Sequence, residues 1–198
     1  MMGKYAILSI LPLALLAGCT TAVAPVDVTR FHEGQVARQG SVRLVSADPA
    51  MAGSLEFRTT ADAVGAALGR TGFSVVDAGA ANADYEAVID LGRDTLQPAV
   101  QGRSPVSVGV GGSTGSYGGG VGLGIGINLS GKPKPVVASR LRVQLRRASD
   151  KVAIWEGRAE TQAKEGSAAA QPGVTASKLA DALFQGFPGQ AGATITVP

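Results

Sequence analysis

The sequence predicts an α+β fold: a mostly antiparallel sheet with two helices packed on one face, plus a Gly-rich hairpin insert. Three observations carry this reading. Several short segments alternate apolar and polar residues with period two, as half-buried strands do. Two longer segments repeat small and apolar residues at helical spacing instead. Between those two, over residues 102–131, Gly becomes the commonest residue.

Val26-Asp27-Val28-Thr29-Arg30-Phe31 alternates and supplies a first strand; Ser41 to Val45 supplies a second, closed by Asp48-Pro49. The strongest helix runs from about Ser54 to Arg70. Leu55, Ala63, Val64, Ala67 and Leu68 form its apolar stripe, and Thr71-Gly72 stops it. Phe73 to Val76 resumes as a strand. Asp84 to Leu91 is another, with Tyr85, Ala87, Ile89 and Leu91 on one face and Glu86 and Asp90 on the polar, solvated one.

In the Gly-rich insert, Gly111 to Gly120 reads as turn or loop. Val106, Val108 and Val110 alternate before it, and Val121, Leu123, Ile125 and Ile127 alternate after it. One reading is a mobile loop with two weak flanking strands, because Gly costs entropy and packs nothing. The other is a hairpin suited to self-association, partner docking or insertion into lipid. Membrane strands need roughly 9–11 residues and a single hairpin closes no barrel, so spanning insertion demands an oligomer.

Ser139 to Arg147 and Val152 to Thr161 form the clearest hairpin, turning near Ala148 to Asp150. Leu141, Val143 and Leu145 share a face with Ala153, Trp155 and Ala159. The opposite face sets Arg140, Arg142 and Arg146 across from Glu156, Arg158 and Glu160. Pro172-Gly173 precedes a second helix, Val174 to Phe184, buried through Leu179, Ala182 and Leu183 and ended by Gly186-Phe187-Pro188. Ala193 to Val197 adds a last edge strand.

Ahead of this domain lies a different kind of signal. A basic start (Lys4) and an apolar run from Tyr5 to Leu16 lead into Leu16-Ala17-Gly18-Cys19. The run is too short to span a bilayer, and Pro12 interrupts it. A small-residue tripeptide ending in Cys after such a run resembles the lipobox of bacterial lipoproteins. It implies cleavage between Gly18 and Cys19, lipidation of Cys19, and acylation of the new amino terminus. The expected organisation is a signal peptide (1–18), a lipidated tether (19–25) and one α+β domain (26–198). Thr20, rather than Asp, follows the Cys; by resemblance to Gram-negative lipoproteins this favours the outer membrane, with the domain facing the periplasm.

Composition narrows the chemistry. Cys19 is the only cysteine, so no disulfide forms within the chain and no zinc site of Cys and His is available. His32 is the only histidine and reads as a surface or strand-end residue. The net charge of +3 is too weak, and its Lys and Arg too dispersed, for a nucleic-acid partner. The segment Gly126 to Lys132 imitates a phosphate-binding loop, but Pro133 stands where a hydroxyl should hold magnesium, so no nucleotide cofactor is expected. Asp77, Asp84, Glu86, Asp90 and Asp94 are the candidate carboxylates for an envelope hydrolase; spacing alone brings no pair together in a cleft. Ser-based hydrolysis lacks both its G-x-S-x-G elbow and a suitable histidine. Trp155 is expected in the core beneath a helix.

Several of these features, in this order, resemble a bacterial family of envelope lipoproteins that carry one domain of unknown function. They are the lipobox at Cys19, the helix closed by Arg70-Thr71-Gly72-Phe73, the strand start Ala83-Asp84-Tyr85, and the Gly-rich stretch Gly109 to Gly126. Ile154-Trp155-Glu156-Gly157 and the late helix ending in Phe187-Pro188 complete the set. The polar stretch from Phe31 to Gly40 departs from the pattern and puts the sheet edge in question. The resemblance brings no catalytic or metal residues. The expected role is non-enzymatic: a lipid-anchored structural or adaptor protein engaging an envelope partner, or itself, through the sheet edge or the Gly-rich hairpin. An oligomeric secretion-pore subunit and a carboxylate hydrolase are the alternatives.

Overall fold

Capping and alternation fix the elements of the computed structural model, which describes residues 24–97, 106–113, 120–127 and 134–198. In chain order these are β1 (Val26–His32), β2 (Gly40–Ser46), α1 (Leu55–Thr71), β3 (Phe73–Val76), β4 (Tyr85–Leu96), β5 (Val106–Ser113) and β6 (Gly120–Ile127). There follow β7 (Val136–Arg147), β8 (Ala153–Lys164), α2 (Pro172–Phe184) and β9 (Thr194–Val197). Ser54 caps α1 by accepting from Phe57 N at 3.0 Å, a contact typically contributing about 1 kcal/mol. At the other end Gly72 turns with φ +112°, where a Cβ would also lie 2.4 Å from the Arg38 carbonyl oxygen, so only Gly serves.

Seven strands form one sheet in the order β3-β2-β4-β7-β8-β1-β9. Most neighbours are antiparallel, but β2 runs parallel to both β3 and β4, with α1 as the crossover between β2 and β3. The polar stretch after Phe31 does not put β1 at an edge: β1 lies between β8 and β9, and the short strands β3 and β9 are the edges.

Both helices pack on the same face, α1 over β2, β3 and β4, and α2 over β1, β7 and β8. Leu68, Leu141, Leu145, Leu179 and Leu183 are fully buried between the layers, each contributing roughly 1.5–3 kcal/mol of hydrophobic stabilisation. Trp155 lies in this core as expected, stacked on Phe184 at 5.3 Å and beside Phe187 at 5.2 Å. Gly157 makes room for it; a Cβ there would lie 2.4 Å from the indole and 2.7 Å from Leu183.

Three expectations need correction. Leu55 is 74% exposed, because the stripe starts a turn later at Thr60 and Ala61. Ala153 is exposed because a bulge between Leu145 and Arg146 shifts the hairpin register before it can join Trp155. In the insert, β5 extends through Gly111 to Ser113, so only residues 114–119 separate the strands, and these lie outside the described residues. Gly126 and Ile127 end β6, and the rest of the phosphate-loop imitation, 128–133, is also outside them.

Candidate functional site

Cys19 and Gly18 lie outside the described residues, but the place where their tether joins the fold does not. Ala24 and Pro25 lead directly into β1. Thr161 Oγ1 donates to the Pro25 carbonyl at 2.8 Å, and Lys178 Nζ from α2 donates to that of Ala24. Burial pushes the Lys178 ammonium below its ordinary pKa. A groove of ≈ 650 Å³ runs alongside, lined by Val26, Arg70, Lys178, Asp181 and Val197.

The face without helices is charged. Alternation puts Arg43, Glu86, Arg146, Glu156 and Arg158 there, because their neighbours fill the core. The register gives only part of the expected Glu–Arg matching. Arg140 faces Glu160 and pairs with it at 3.2 Å, but Arg142 faces Arg158. Glu156 relieves that repulsion, lying 3.7 Å from Arg142 and 3.1 Å from Arg158. Arg158 also sits 5.7 Å over the Phe31 ring, covering part of it.

Glu86 departs most from expectation. It is not solvated but buried, 3% exposed, at the centre of three cations. Arg43 Nε donates to Oε1 at 2.9 Å and its Nη2 donates there as well; Lys151 Nζ reaches Oε1 at 2.7 Å, and Arg146 Nε reaches Oε2 at 2.7 Å. Burial alone would push this carboxyl up; the hydrogen bonds from Lys151, Arg43 and Arg146 outweigh it and hold the pKa at about 2. Asp84 is engaged differently. Its Oδ2 accepts from the Ser41 hydroxyl at 2.7 Å and from Ser41 N at 2.8 Å, which lowers its pKa, while Ser41 Oγ accepts from Asp84 N at 2.9 Å. Asp90 and Asp94 are exposed. Among the described residues, no three His, Cys, Asp or Glu side chains gather as a metal site would require.

A second buried charge went unread in the sequence. Arg30 is 4% exposed; its Nε donates to the Leu183 carbonyl at 2.9 Å and its Nη2 to those of Ala182 and Gln185 at 3.0 Å. The guanidinium thus caps the negative end of α2, with burial lowering its pKa. The signal was available, since period-two counting puts Arg30 on the same face as Val26 and Val28. His32, at the end of β1, has Nε2 3.0 Å from the Gly189 carbonyl, and Trp155 Nε1 donates to that of Pro188 at 3.0 Å. Three side chains therefore hold the turn after α2.

Comparison with known proteins fits these boundaries. A family described as a domain of unknown function, DUF4136, matches residues 26–189, from the first residue of β1 to the turn held by Arg30 and His32. The chain belongs to the DUF4136 family. Another protein, an uncharacterised one from Zymomonas mobilis subsp. mobilis, is 32% identical over 213 aligned positions, covering 87% of this DUF4136 chain and 80% of its own. Among solved structures, a PDZ domain protein from Parabacteroides distasonis aligns with a TM-score of 0.50 at 9% identity. It covers 88% of this chain and 39% of its own, a likeness of fold alone. PelC dodecamers from Paraburkholderia phytofirmans align more loosely, with TM-scores of 0.40 and 0.42 at 16% and 14% identity; each covers about 85% of this chain and 99% of PelC.

Proposed function

We propose that this DUF4136 protein is a lipid-anchored envelope protein, attached through acylated Cys19 to the outer membrane, facing the periplasm, with a non-enzymatic structural or adaptor role. The observation that carries it is the run ending Leu16-Ala17-Gly18-Cys19, placed only a few residues ahead of the contacts that seize Ala24 and Pro25. An anchor so placed holds the domain close to the bilayer, and several acyl chains on one residue give firm attachment, since each buried methylene adds about 0.8 kcal/mol. The partner is an envelope protein or a second copy, engaged through the edges β3 and β9 or through the Gly-rich hairpin; neither nucleic acid nor nucleotide is involved.

The non-enzymatic part draws on how the carboxylates are used. A general acid or base works best with a pKa near the working pH. Glu86 is held at about 2 by three cations, and Asp84 is also lowered, so both are committed to structure. Any hydrolase role for them predicts lost turnover in Asp84→Asn and Glu86→Gln. A second reading, an oligomeric secretion-pore subunit, draws on the β5–β6 ladder. It requires a discrete ring on size exclusion with light scattering in mild detergent, and a monomer eliminates it.

The anchor is tested directly. Cys19→Ala abolishes labelling by a radioactive fatty acid and leaves the precursor uncleaved; a variant still labelled overturns the assignment of Cys19.

A further inference from the structure

The amino-terminal tether and the Gly-rich insert leave the domain at the same end of the sheet. Across the register, Asp27 stands opposite Glu160, Glu160 opposite Arg140, and Arg140 opposite Gly92. Beyond that level β4 continues to Leu96, which faces Val136, which in turn faces Lys164. Val26, one residue further on, is level with Arg93, so at about 3.3 Å per residue the ribbon that carries the insert projects roughly 10 Å past the start of β1. The five links from Ala24 back to Cys19 reach at most about 18 Å. An anchor at Cys19 therefore brings this end of the sheet against the bilayer.

Exposed apolar side chains stand at this end, among acidic ones such as Asp48, Glu56 and Asp94. Four large hydrophobic residues with exposures of 38–74%, Met51, Leu55, Leu96 and Val174, belong to this end. Met51 shares a shallow depression with Ile89 and Leu91 of β4, Leu55 shares another with Pro172 at the start of α2, and Arg93 Nη2 ties the approach to α2 to β4 through the Ala170 carbonyl at 2.6 Å.

The insert continues the pattern. No charged residue occurs from Ser104 to Gly131, while Arg103 precedes this stretch and Lys132 and Lys134 follow it. The register of β5 with β6 puts 106 opposite 127, 108 opposite 125, 110 opposite 123 and 112 opposite 121. One face of the ladder thus takes Val106, Val108, Val110, Val121, Leu123, Ile125 and Ile127; the other takes only Gly and Ser. A two-stranded ribbon is marginal alone in water, and seven of the eight positions on one face of this one are aliphatic, the eighth being Gly112. Its outer edges, which no other strand among the described residues pairs, are prohibitive in hydrocarbon yet tolerable among headgroups and water.

We propose that the β5–β6 ribbon lies in the interface of the bilayer that holds the Cys19 lipid, with its aliphatic face against the acyl chains and its Gly/Ser face toward water. The inference rests on the lipid-anchor reading. Arg103, Lys132 and Lys134 supply the attraction to anionic headgroups that such interfacial segments use. The ribbon and the anchor together fix the orientation of the domain.

Because Cys19 is the only cysteine and is blocked by lipid, a single introduced cysteine can carry a polarity-sensitive dye. The acylated full-length protein is reconstituted in phosphatidylethanolamine–phosphatidylglycerol vesicles, with and without brominated lipid. Val108→Cys, Leu123→Cys and Ile125→Cys are expected to show blue-shifted emission and severalfold stronger quenching by shallow bromines than Ser107→Cys or Gly124→Cys. Leu55→Cys is expected to be quenched and Val152→Cys, at the opposite end of the sheet, to stay aqueous. If positions 108, 123 and 125 match Val152→Cys, the proposal is overturned; protection without bromine quenching, which signals a protein partner, overturns it too. Quenching by deep bromines on both faces does the same. Fatty-acid labelling on the same samples separates the two readings: labelled protein with an aqueous ribbon sinks this inference alone, and unlabelled protein sinks the anchor.

Discussion

The two faces of the sheet are held together by different physics. The face under α1 and α2 is an aliphatic and aromatic core around Trp155, where removal from water does the work. The open face is a lattice of Arg and Glu, most of it half-exposed, with Glu86 deeply buried among them. Burial separates the two faces, because an exposed ion pair contributes about 0–1 kcal/mol whereas a large core side chain contributes several times that.

The largest break in this comparison is on the covered face. Trp155→Ala is expected to cost about 4 kcal/mol in urea unfolding, since it removes the ring between Phe184 and Phe187 and orphans the Pro188 carbonyl. Next comes pH. Glu86 titrates near 2 when folded and near 4.5 when unfolded, so its stabilisation is complete above pH 4.5 and is lost as pH falls toward 2. That is worth up to about 3 kcal/mol, and Glu86→Gln should flatten the acid limb of stability against pH. Gly157→Ala forces a methyl against the indole and Leu183, at a cost of about 2 kcal/mol measured as a shift in urea midpoint. The smallest effect belongs to the open face: Arg140→Ala, which breaks a pair exposed on both sides, should change stability by less than about 0.5 kcal/mol. A large loss there would contradict the contrast between the faces.

Periodicity made the covered face legible in the sequence. Leu141, Val143, Leu145, Trp155, Leu179 and Leu183 lie in the core where period two and helical spacing put them. What periodicity cannot supply is the identity of neighbours brought in from elsewhere. Glu86 occupies the polar face of β4 as counted, yet it is buried because Arg43, Arg146 and Lys151 arrive from β2, β7 and the turn after β7. Parity places Arg30 on the core side, but its partners are carbonyls at the end of a helix more than 150 residues away. A bulge takes Ala153 off the face that period two gives it, and a bulge shifts register without leaving a composition signal. Leu55 is exposed because an apolar residue at a helix start continues the periodic stripe even where nothing packs against it. The parallel pairing of β2 has a similar cause: α1 reads equally well as a crossover between neighbouring strands or as a bridge to a distant one.

The position of β1 has a mechanical consequence. The chain ahead of Val26 runs into a strand flanked on both sides, by β8 over Asp27 to His32 and by β9 over Val26 to Thr29. A pull on that chain acts along the strand axis, across hydrogen bonds that lie perpendicular to it. The two ladders are then sheared together instead of being peeled open one bond at a time. Force entering at this point is shared between the ladders that β1 makes with β8 and with β9, and the domain yields only when many bonds fail at once.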